Sequence, residues 1–205
     1  MIGIIDYKAG NLFNVKNALD YLGYENIVTS SKDEIRNADK LILPGVGAFP
    51  HAMKMLKESG LVPIILEEAK KKPLLGICLG MQMLFEYGLE FEKTSGLGLI
   101  PGYVKPIEAP GLKIPHVGWS KIKLGKACRL SQGIKEGDQF YYVHSYRAVT
   151  EKEHISLYSE YGEVIPGLVC KDMVFGTQFH PEKSGDVGLK ILDNFGGLND
   201  YFTCY

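Results

Sequence analysis

The chain has 205 residues, of which 45% are hydrophobic and 23% are charged, a composition typical of a globular protein with a sizeable core. Its 23 basic and 24 acidic residues leave a formal net charge of −1, so no excess of positive charge is available for a nucleic-acid backbone. The longest apolar runs, such as residues 61–66, are far shorter than the about 20 residues that span a bilayer. We therefore expect a cytoplasmic protein with no nucleic-acid or membrane partner.

The first half of the chain alternates short apolar runs with helical patterns, which is typical of a parallel sheet flanked by helices. The patterns predict strands at residues 2–6, 25–29, 40–43 and 74–78, and helices at residues 12–22, 52–58, 62–71 and 81–87.

The second half is richer in short runs punctuated by Gly and Pro. These runs predict β-structure at residues 98–104, 114–124, 140–148 and 155–160, a hairpin at 168–179, and a closing amphipathic helix at 185–198. Because no linker or repeat separates the halves, we expect one α/β domain over residues 1–205, with a mostly parallel central sheet and a β-rich second half.

No two of the four cysteines form a CxxC pair, and their spacing lacks the dense disulfide framework of small secreted proteins, so we expect reduced thiols. Two patterns that begin like G-x-G-x-x-G have Pro50 and Pro101 at their last position, which argues against a dinucleotide site. We expect neither a cofactor nor a metal. The cysteines are Cys78, Cys128, Cys170 and Cys204.

Cys78 lies between Gly76 and Gly80, where a predicted parallel strand ends and a helical pattern begins. This order is typical of a nucleophile elbow, a sharp turn whose flanking glycines avoid collisions with neighbouring backbone. At a helix N-terminus, backbone N–H groups favour the reactive thiolate. The alternative is a buried structural cysteine beside packing glycines.

His180 and Glu182 follow the last predicted strand and are two residues apart, so in extended backbone they would project to the same side. Pro181 disfavours the α conformation at His180. His180 could then accept the proton of Cys78 while Glu182 fixes the imidazole tautomer. A surface turn is the alternative, and a metal site is disfavoured because the other histidines show no H-x₃-H spacing.

An acyl-transfer site also needs donors for an oxyanion. The N–H of Leu79, directly after the nucleophile, is one candidate, and the turn at Gly45 and Val46 after another parallel strand is the second. Both lie at strand carboxyl ends, where open α/β sheets bind ligands. The alternative for the turn is an ordinary strand-to-helix connection.

Several blocks of residues together resemble the class I, triad-type glutamine amidotransferases and, more narrowly, the glutaminase subunits of imidazole glycerol phosphate synthases. The resemblance implies the class I amidotransferase fold and hydrolysis of glutamine through a cysteinyl thioester. Ser120 departs from the Asn that this family commonly has there. The blocks are residues 4–7 (IIDY) with 10–12 (GNL), 43–49 (LPGVGAF), 76–82 (GICLGMQ), 96–102 (GLGLIPG), 115–119 (PHVGW) and 178–184 (QFHPEKS).

The same resemblance implies roles for further residues. Gln82 and Glu90 would recognise the amino acid end of glutamine, although on sequence alone they would pass as an ordinary helix face. The interface with a partner would include Tyr141, for which a sheet-core position is the alternative. The backbone bordering the substrate would be that of His144, Ser145 and Tyr146, and the other interface residues would be Asn11, Trp119 and Lys183.

The partner implied by the resemblance is a (β/α)₈-barrel cyclase, forming a heterodimer that uses the ammonia in histidine biosynthesis. The oxyanion turn would be completed only in the complex, so the isolated chain would have weak glutaminase activity. Three alternatives stay open: a paralogous glutaminase that supplies a sugar-amidating synthase, a non-catalytic partner module, and a triad hydrolase acting on peptides or other amides.

Overall fold

The computed structural model describes residues 1–198. The helices within this range are α1 (Leu12–Tyr21), α2 (Lys32–Asn37), α3 (Phe49–Glu58), α4 (Val62–Glu68), α5 (Leu79–Met83) and α6 (Gly185–Gly196), with 3₁₀ turns at Arg129–Ser131, Lys152–His154 and Pro181–Lys183. The strands of the same range are β1 (Ile2–Ile5), β2 (Asn26–Thr29), β3 (Lys40–Gly45), β4 (Leu74–Cys78), β5 (Tyr87–Gly88), β6 (Thr94–Ser95), β7 (Tyr103–Pro106), β8 (His116–Lys121), β9 (Lys123–Leu124), β10 (Gln139–His144), β11 (Tyr146–Val149), β12 (Ile155–Tyr161), β13 (Glu163–Lys171) and β14 (Val174–Thr177).

A sheet of eight strands runs through the part of the chain that the structure describes, in the order β2-β1-β3-β4-β14-β13-β12-β9. The pairs from β2 to β14 are parallel, and those from β14 to β9 are antiparallel. Strands of both halves of the chain therefore join in one sheet, and the predicted parallel arrangement of β1 to β4 is confirmed. The carboxyl ends of β3 and β4 are adjacent, with Gly45 opposite Cys78.

Two smaller sheets stand beside the large one. The strands β8 and β10 form an antiparallel ribbon, and β11, β7, β5 and β6 form the other sheet. In the ribbon, Trp119 pairs with Tyr141 and His116 pairs with His144.

Apolar side chains cover both faces of the large sheet, as expected for buried parallel strands. On one face Ile4 and Ile77 pack with Leu19 of α1 and Phe195 of α6. The opposite face carries a second cluster that draws on α2 to α5, including Leu43, Phe49, Met53, Leu56 and Ile64. The sheet is thus fixed between two helical layers, which holds the strand ends in place.

Some predicted elements need correction. Helix α2 was not predicted, because Ile35 is its one buried residue and a single apolar position shows no helical periodicity. The helix is capped by Ser31, whose side chain accepts a hydrogen bond from the N–H of Glu34. The helix predicted over residues 81–87 instead spans Leu79–Met83, since the chain turns afterwards to pair Tyr87 with Tyr103. Strand β3 also continues past its predicted end into Gly45.

No helix of residues 1–198 has the length and apolar character needed to cross a membrane. Cys128 and Cys170 are buried in the core, and Cys204 lies outside the described residues.

Candidate active site

Cys78 ends β4 and is the N-cap of α5, with φ 54° and ψ −111°, a positive φ that is strained for a residue other than glycine. Glycine at position 80 permits this turn, since a Cβ there would lie 1.8 Å from the carbonyl oxygen of Leu43. A Cβ on Gly76 would lie 2.7 Å from the carbonyl oxygen of Gly80. The predicted elbow is therefore present, and both flanking glycines are needed for close backbone contact.

The candidate oxyanion donors lie next to this elbow. Leu79 is the first residue of α5, where a helix leaves backbone N–H groups without partners inside the helix. The turn after β3 contacts the elbow directly, because a Cβ on Gly45 would lie 2.6 Å from the nitrogen of Gly80. Val46 is 47% exposed, and Gly47 has φ +91° with open space around it. Because nothing packs against Gly47, the peptide between Val46 and Gly47 has room to rotate.

His180 lines the same cavity as Cys78, and Cys78 is near enough to affect the pKa of its imidazole. Its Nδ1 is 2.8 Å from Oε1 of Glu182, whose side chain is fully buried. The backbone N–H of His180 donates to the carbonyl of Tyr141, and the Ser184 hydroxyl donates to the carbonyl of His180. The backbone of His180 is thus fixed by both hydrogen bonds, and its ring is oriented with Nδ1 on the carboxylate, which leaves Nε2 for the cavity.

The geometry of this pair differs from the prediction in one respect. His180 is extended, with φ −94° and ψ 98°, as expected before proline. Glu182, however, lies in the 3₁₀ turn Pro181–Lys183 and not in extended backbone. The carboxylate reaches the ring because the turn folds it back, so the alternation argument was wrong although the contact is present.

The charge state of His180 follows from its surroundings. Burial acts to lower its pKa, but hydrogen bonds and charge attraction from Cys78 and Glu182 outweigh it and raise the pKa to about 10. At neutral pH the imidazole therefore carries a proton between a carboxylate and the sulfur. Such a pair is suited to nucleophilic attack by sulfur and to proton delivery to a leaving group.

A cavity of about 410 Å³ opens over the sulfur. It brings together residues that are scattered in the sequence, among them most of those predicted for the site. Five of the predicted residues are not part of the lining: Glu182, Gly45, Asn11, Trp119 and Tyr141. The lining consists of Val46, Gly47, Cys78, Leu79, Gln82, Glu90, Pro115, Val143, His144, Ser145, Tyr146, His180 and Lys183.

Gln82 and Glu90 reach the cavity from different elements. Gln82 projects from α5, one turn after Cys78, and its Nε2 donates to the carbonyl of Tyr146 at 3.0 Å. Glu90 follows β5, and its Oε2 accepts a hydrogen bond of 2.7 Å from the N–H of Phe49 at the start of α3. The sequence alternative of one ordinary helix face is therefore wrong for Glu90.

The residues predicted for a partner interface are on or near the surface. Trp119 is 54% exposed, and its ring lies edge-on to that of half-buried Tyr141 with centroids 6.0 Å apart. Lys183 is exposed at the mouth of the cavity, and half-buried Asn11 precedes α1. A sheet-core position for Tyr141 is therefore excluded by its partial exposure.

Two residues beside the sulfur were missed by sequence reasoning. Gln178 is fully buried, and its Nε2 lies 3.8 Å from Sγ of Cys78. Burial raises the pKa of Tyr7, and a charge on Cys78 adds to this effect, so the phenol is within electrostatic range of the sulfur. Both residues belong to sequence blocks shared with the glutamine amidotransferases, at residues 4–7 and 178–184. Their spacing in the sequence does not indicate a position near the sulfur of Cys78.

A buried histidine pair supports the wall of the cavity. Nδ1 of His144 lies 2.8 Å from the carbonyl oxygen of Tyr146, which can only accept, so His144 donates there. His144 Nε2 then accepts from Nδ1 of His116 at 3.0 Å, and Nε2 of His116 accepts from the hydroxyl of Ser120 at 2.8 Å. Burial lowers the pKa of His116 to about 4 and that of His144 to about 3, so both rings are neutral as this chain of hydrogen bonds requires.

Within residues 1–198, no group of three or more His, Cys, Asp or Glu side chains is arranged to hold a metal ion.

Comparison with known proteins adds independent information. The model of the family "Glutamine amidotransferase class-I" matches residues 3–196. Imidazole glycerol phosphate synthase subunit HisH of Bacillus thuringiensis (strain Al Hakam) is 50% identical over 199 residues, covering 97% of this chain and 95% of that protein. The corresponding subunit of Bacillus cereus (strain G9842) is 51% identical over the same coverage.

Solved structures show the same fold at low sequence identity. A crystal structure described as glutamine amidotransferase superposes with a TM-score of 0.74 at 20% identity, covering 96% of this chain and 99% of that one. The structure of PurLQS from Thermotoga maritima gives a TM-score of 0.74 at 20% identity, with 95% and 96% covered. These findings confirm the predicted fold class. The chain belongs to the class I glutamine amidotransferase family and, within it, to the HisH subunits of imidazole glycerol phosphate synthase.

Proposed function

We propose that this protein hydrolyses L-glutamine to glutamate and ammonia as the glutaminase subunit of an imidazole glycerol phosphate synthase, and acts in the cytoplasm. The observation that carries the proposal is that the strained elbow at Cys78 and the imidazole of the His180–Glu182 pair line one cavity. The strong similarity to HisH subunits supports the choice of pathway. The ammonia would be used in histidine biosynthesis.

The chemistry follows from the positions of the three side chains. The Cys78 thiolate attacks the amide carbon of glutamine, and the N–H of Leu79 with those of the turn around Val46 receives the oxyanion. His180 gives its proton to the departing ammonia, which leaves a γ-glutamyl thioester. Water, deprotonated by His180, then attacks the thioester and releases glutamate, so one water is consumed for each ammonia formed. Glu182 keeps the ring oriented through both steps.

The hydrogen bonds already present decide what each side chain can offer the substrate. Because the amide nitrogen of Gln82 donates within the protein, its carbonyl oxygen is the group able to accept from the ammonium of glutamine. The second carboxylate oxygen of Glu90 can accept in the same way. The backbone of His144, Ser145 and Tyr146 borders the cavity where the carboxylate end needs donors.

The surface around the cavity fits a partner protein. Apolar side chains that a monomer would normally shield are exposed there: Val46 at 47%, Val117 at 55% and Trp119 at 54%. Such surfaces mark interaction sites. We assign this face, with Tyr141, Lys183 and Asn11, to a (β/α)₈-barrel cyclase that forms a heterodimer with this chain. The cyclase would add the ammonia to a phosphoribulosyl-formimino carboxamide ribotide, forming imidazole glycerol phosphate and aminoimidazole carboxamide ribotide.

Glutamine hydrolysis measured with and without the cyclase and its nucleotide ligand tests this function. If the partner completes the oxyanion turn, turnover should rise by about 10²- to 10³-fold, the effect of one oxyanion donor. Equal turnover with and without the cyclase would reject the proposal that the partner completes the oxyanion turn. Turnover of peptides but not of glutamine would reject the glutaminase itself, and glutamine turnover without any response to this cyclase would indicate another ammonia-using client.

A further inference from the structure

We propose that Gln178 is a further catalytic residue, whose side-chain N–H donates a hydrogen bond to the Cys78 sulfur and stabilises its charged form. The inference rests on the proposed function for its chemical purpose, but its evidence is the hydrogen-bond geometry around the sulfur. Nε2 of Gln178 lies 3.8 Å from Sγ, within the range of a hydrogen bond to sulfur.

The direction of this hydrogen bond is determined by its neighbours. The carbonyl oxygen of Tyr146 can only accept, so the atom of Gln82 that lies 3.0 Å from it must be the donating amide nitrogen. The same nitrogen lies 2.9 Å from Oε1 of Gln178, which is therefore the acceptor. The remaining polar atom of Gln178 is its NH₂ group, and this group faces the sulfur.

The Gln178 side-chain amide is buried and fixed in place by its neighbours. Gln178 is fully buried and Gln82 is 4% exposed, so neither side chain can exchange its partner for bulk water at little cost. The backbone N–H of Gln178 donates to the carbonyl of Gly167 at 2.8 Å, which fixes the base of the side chain. The amide is thus held in one orientation against the nucleophile.

The donor distinguishes between the two charge states of the sulfur. A neutral thiol is a weak acceptor, so the buried N–H of Gln178 is poorly satisfied when Cys78 is protonated. A thiolate is a much stronger acceptor, because hydrogen bonds to charged groups are about twice as strong as neutral ones. The thiol can itself donate to the carbonyl oxygen of Val143, 3.9 Å from Sγ, and Gln178 acts against that contact by favouring the thiolate.

The proposal is tested by alkylation of Cys78 with iodoacetamide as a function of pH. In this reaction the thiolate forms a bond to carbon and iodide leaves, so the rate reports the charged fraction. Gln178→Met keeps the length of the side chain and removes the donor. The pH of half-maximal rate should rise by about one to two units, which is 10- to 100-fold in rate at lower pH.

Thr177→Val is the matched control. Thr177 is the neighbouring residue, is equally buried, and its hydroxyl has no hydrogen-bond partner among the described residues. This variant should keep the wild-type pH profile. Other titratable groups of the cavity and its surroundings are unchanged in both variants: Tyr7, Glu90, His144, His180, Glu182 and Lys183.

A second variant covers the case in which Gln178→Met does not fold. Gln178→Leu also removes the donor and places an apolar side chain of similar volume there without adding a charge, so the half-maximal pH should rise as in Gln178→Met. An unchanged half-maximal pH in a folded variant would overturn the proposal and leave Gln178 a structural residue. The assay needs neither glutamine nor the cyclase, so a shift observed in a chain that fails to hydrolyse glutamine would refute the proposed function alone.

Discussion

Replacing Cys78 by alanine should abolish histidine-pathway synthesis from glutamine by the complex and leave synthesis from added ammonia intact. In the proposed mechanism the sulfur forms the covalent bond to the substrate, and neither His180 nor Glu182 can replace it. Loss of a triad nucleophile typically lowers turnover by about 10⁴-fold or more. The cyclase would carry out the second reaction and needs only ammonia. Product formation is measured with each nitrogen source in turn.

Cys128→Ala is the control for this experiment. Cys128 is also buried, but it lies outside the cavity, so both nitrogen sources should still be used. Loss of both activities in Cys78→Ala, with the complex still assembled, would contradict the division of labour between the two subunits.

Gly80→Ala should lower both the stability and the activity of the protein. A Cβ at this position would lie 1.8 Å from the carbonyl oxygen of Leu43 and 2.9 Å from its carbon, so β3 and α5 would have to separate. Overpacking of a buried site typically costs about 1 to 3 kcal/mol, and here the obstacle is backbone, so we expect a loss of about 3 kcal/mol in the free energy of unfolding. Urea unfolding followed by circular dichroism measures it.

Gly80→Ala should also lower the activity of each molecule that remains folded. The same displacement would move Cys78 relative to the turn at Gly45, which lies opposite it in the sheet. The glutaminase rate of the folded fraction should therefore fall by at least about 10²-fold. The matched control is Gly197→Ala, where φ is −81° and the nearest atom to a Cβ is the carbonyl oxygen of Asp193 at 3.3 Å. Equal effects of the two substitutions would show that the elbow does not require glycine at position 80.

The parts of the site that could be predicted from sequence are those fixed by local backbone chemistry. The elbow at Cys78 needs small residues on both sides of a strand-to-helix turn, and this requirement shows directly in the order of Gly76, Cys78 and Gly80. Pro181 likewise restricts its neighbour, and His180 is extended as expected. Such constraints act within a few residues, so one sequence is enough to reveal them.

Contacts between distant segments could not be predicted in this way. Gln178 reaches the sulfur because β14 pairs with β4, and no local pattern encodes that register. The pairing of His116 with His144 depends on the ribbon of β8 and β10, which propensity alone does not specify. Helix α2 was missed for a simpler reason, because a single buried residue, Ile35, leaves no period to detect.

The central claim is that Cys78 carries a glutamyl group during turnover, and acid quenching of the working complex tests it most directly. The wild-type protein is mixed with the cyclase, its nucleotide ligand and glutamine, quenched within the first turnover and digested for mass spectrometry. We predict a glutamyl group on the peptide that contains Cys78, released by mild base as a thioester should be and missing from Cys78→Ala. Turnover of glutamine with no glutamyl group on this peptide, or with the group on another residue, would contradict the account.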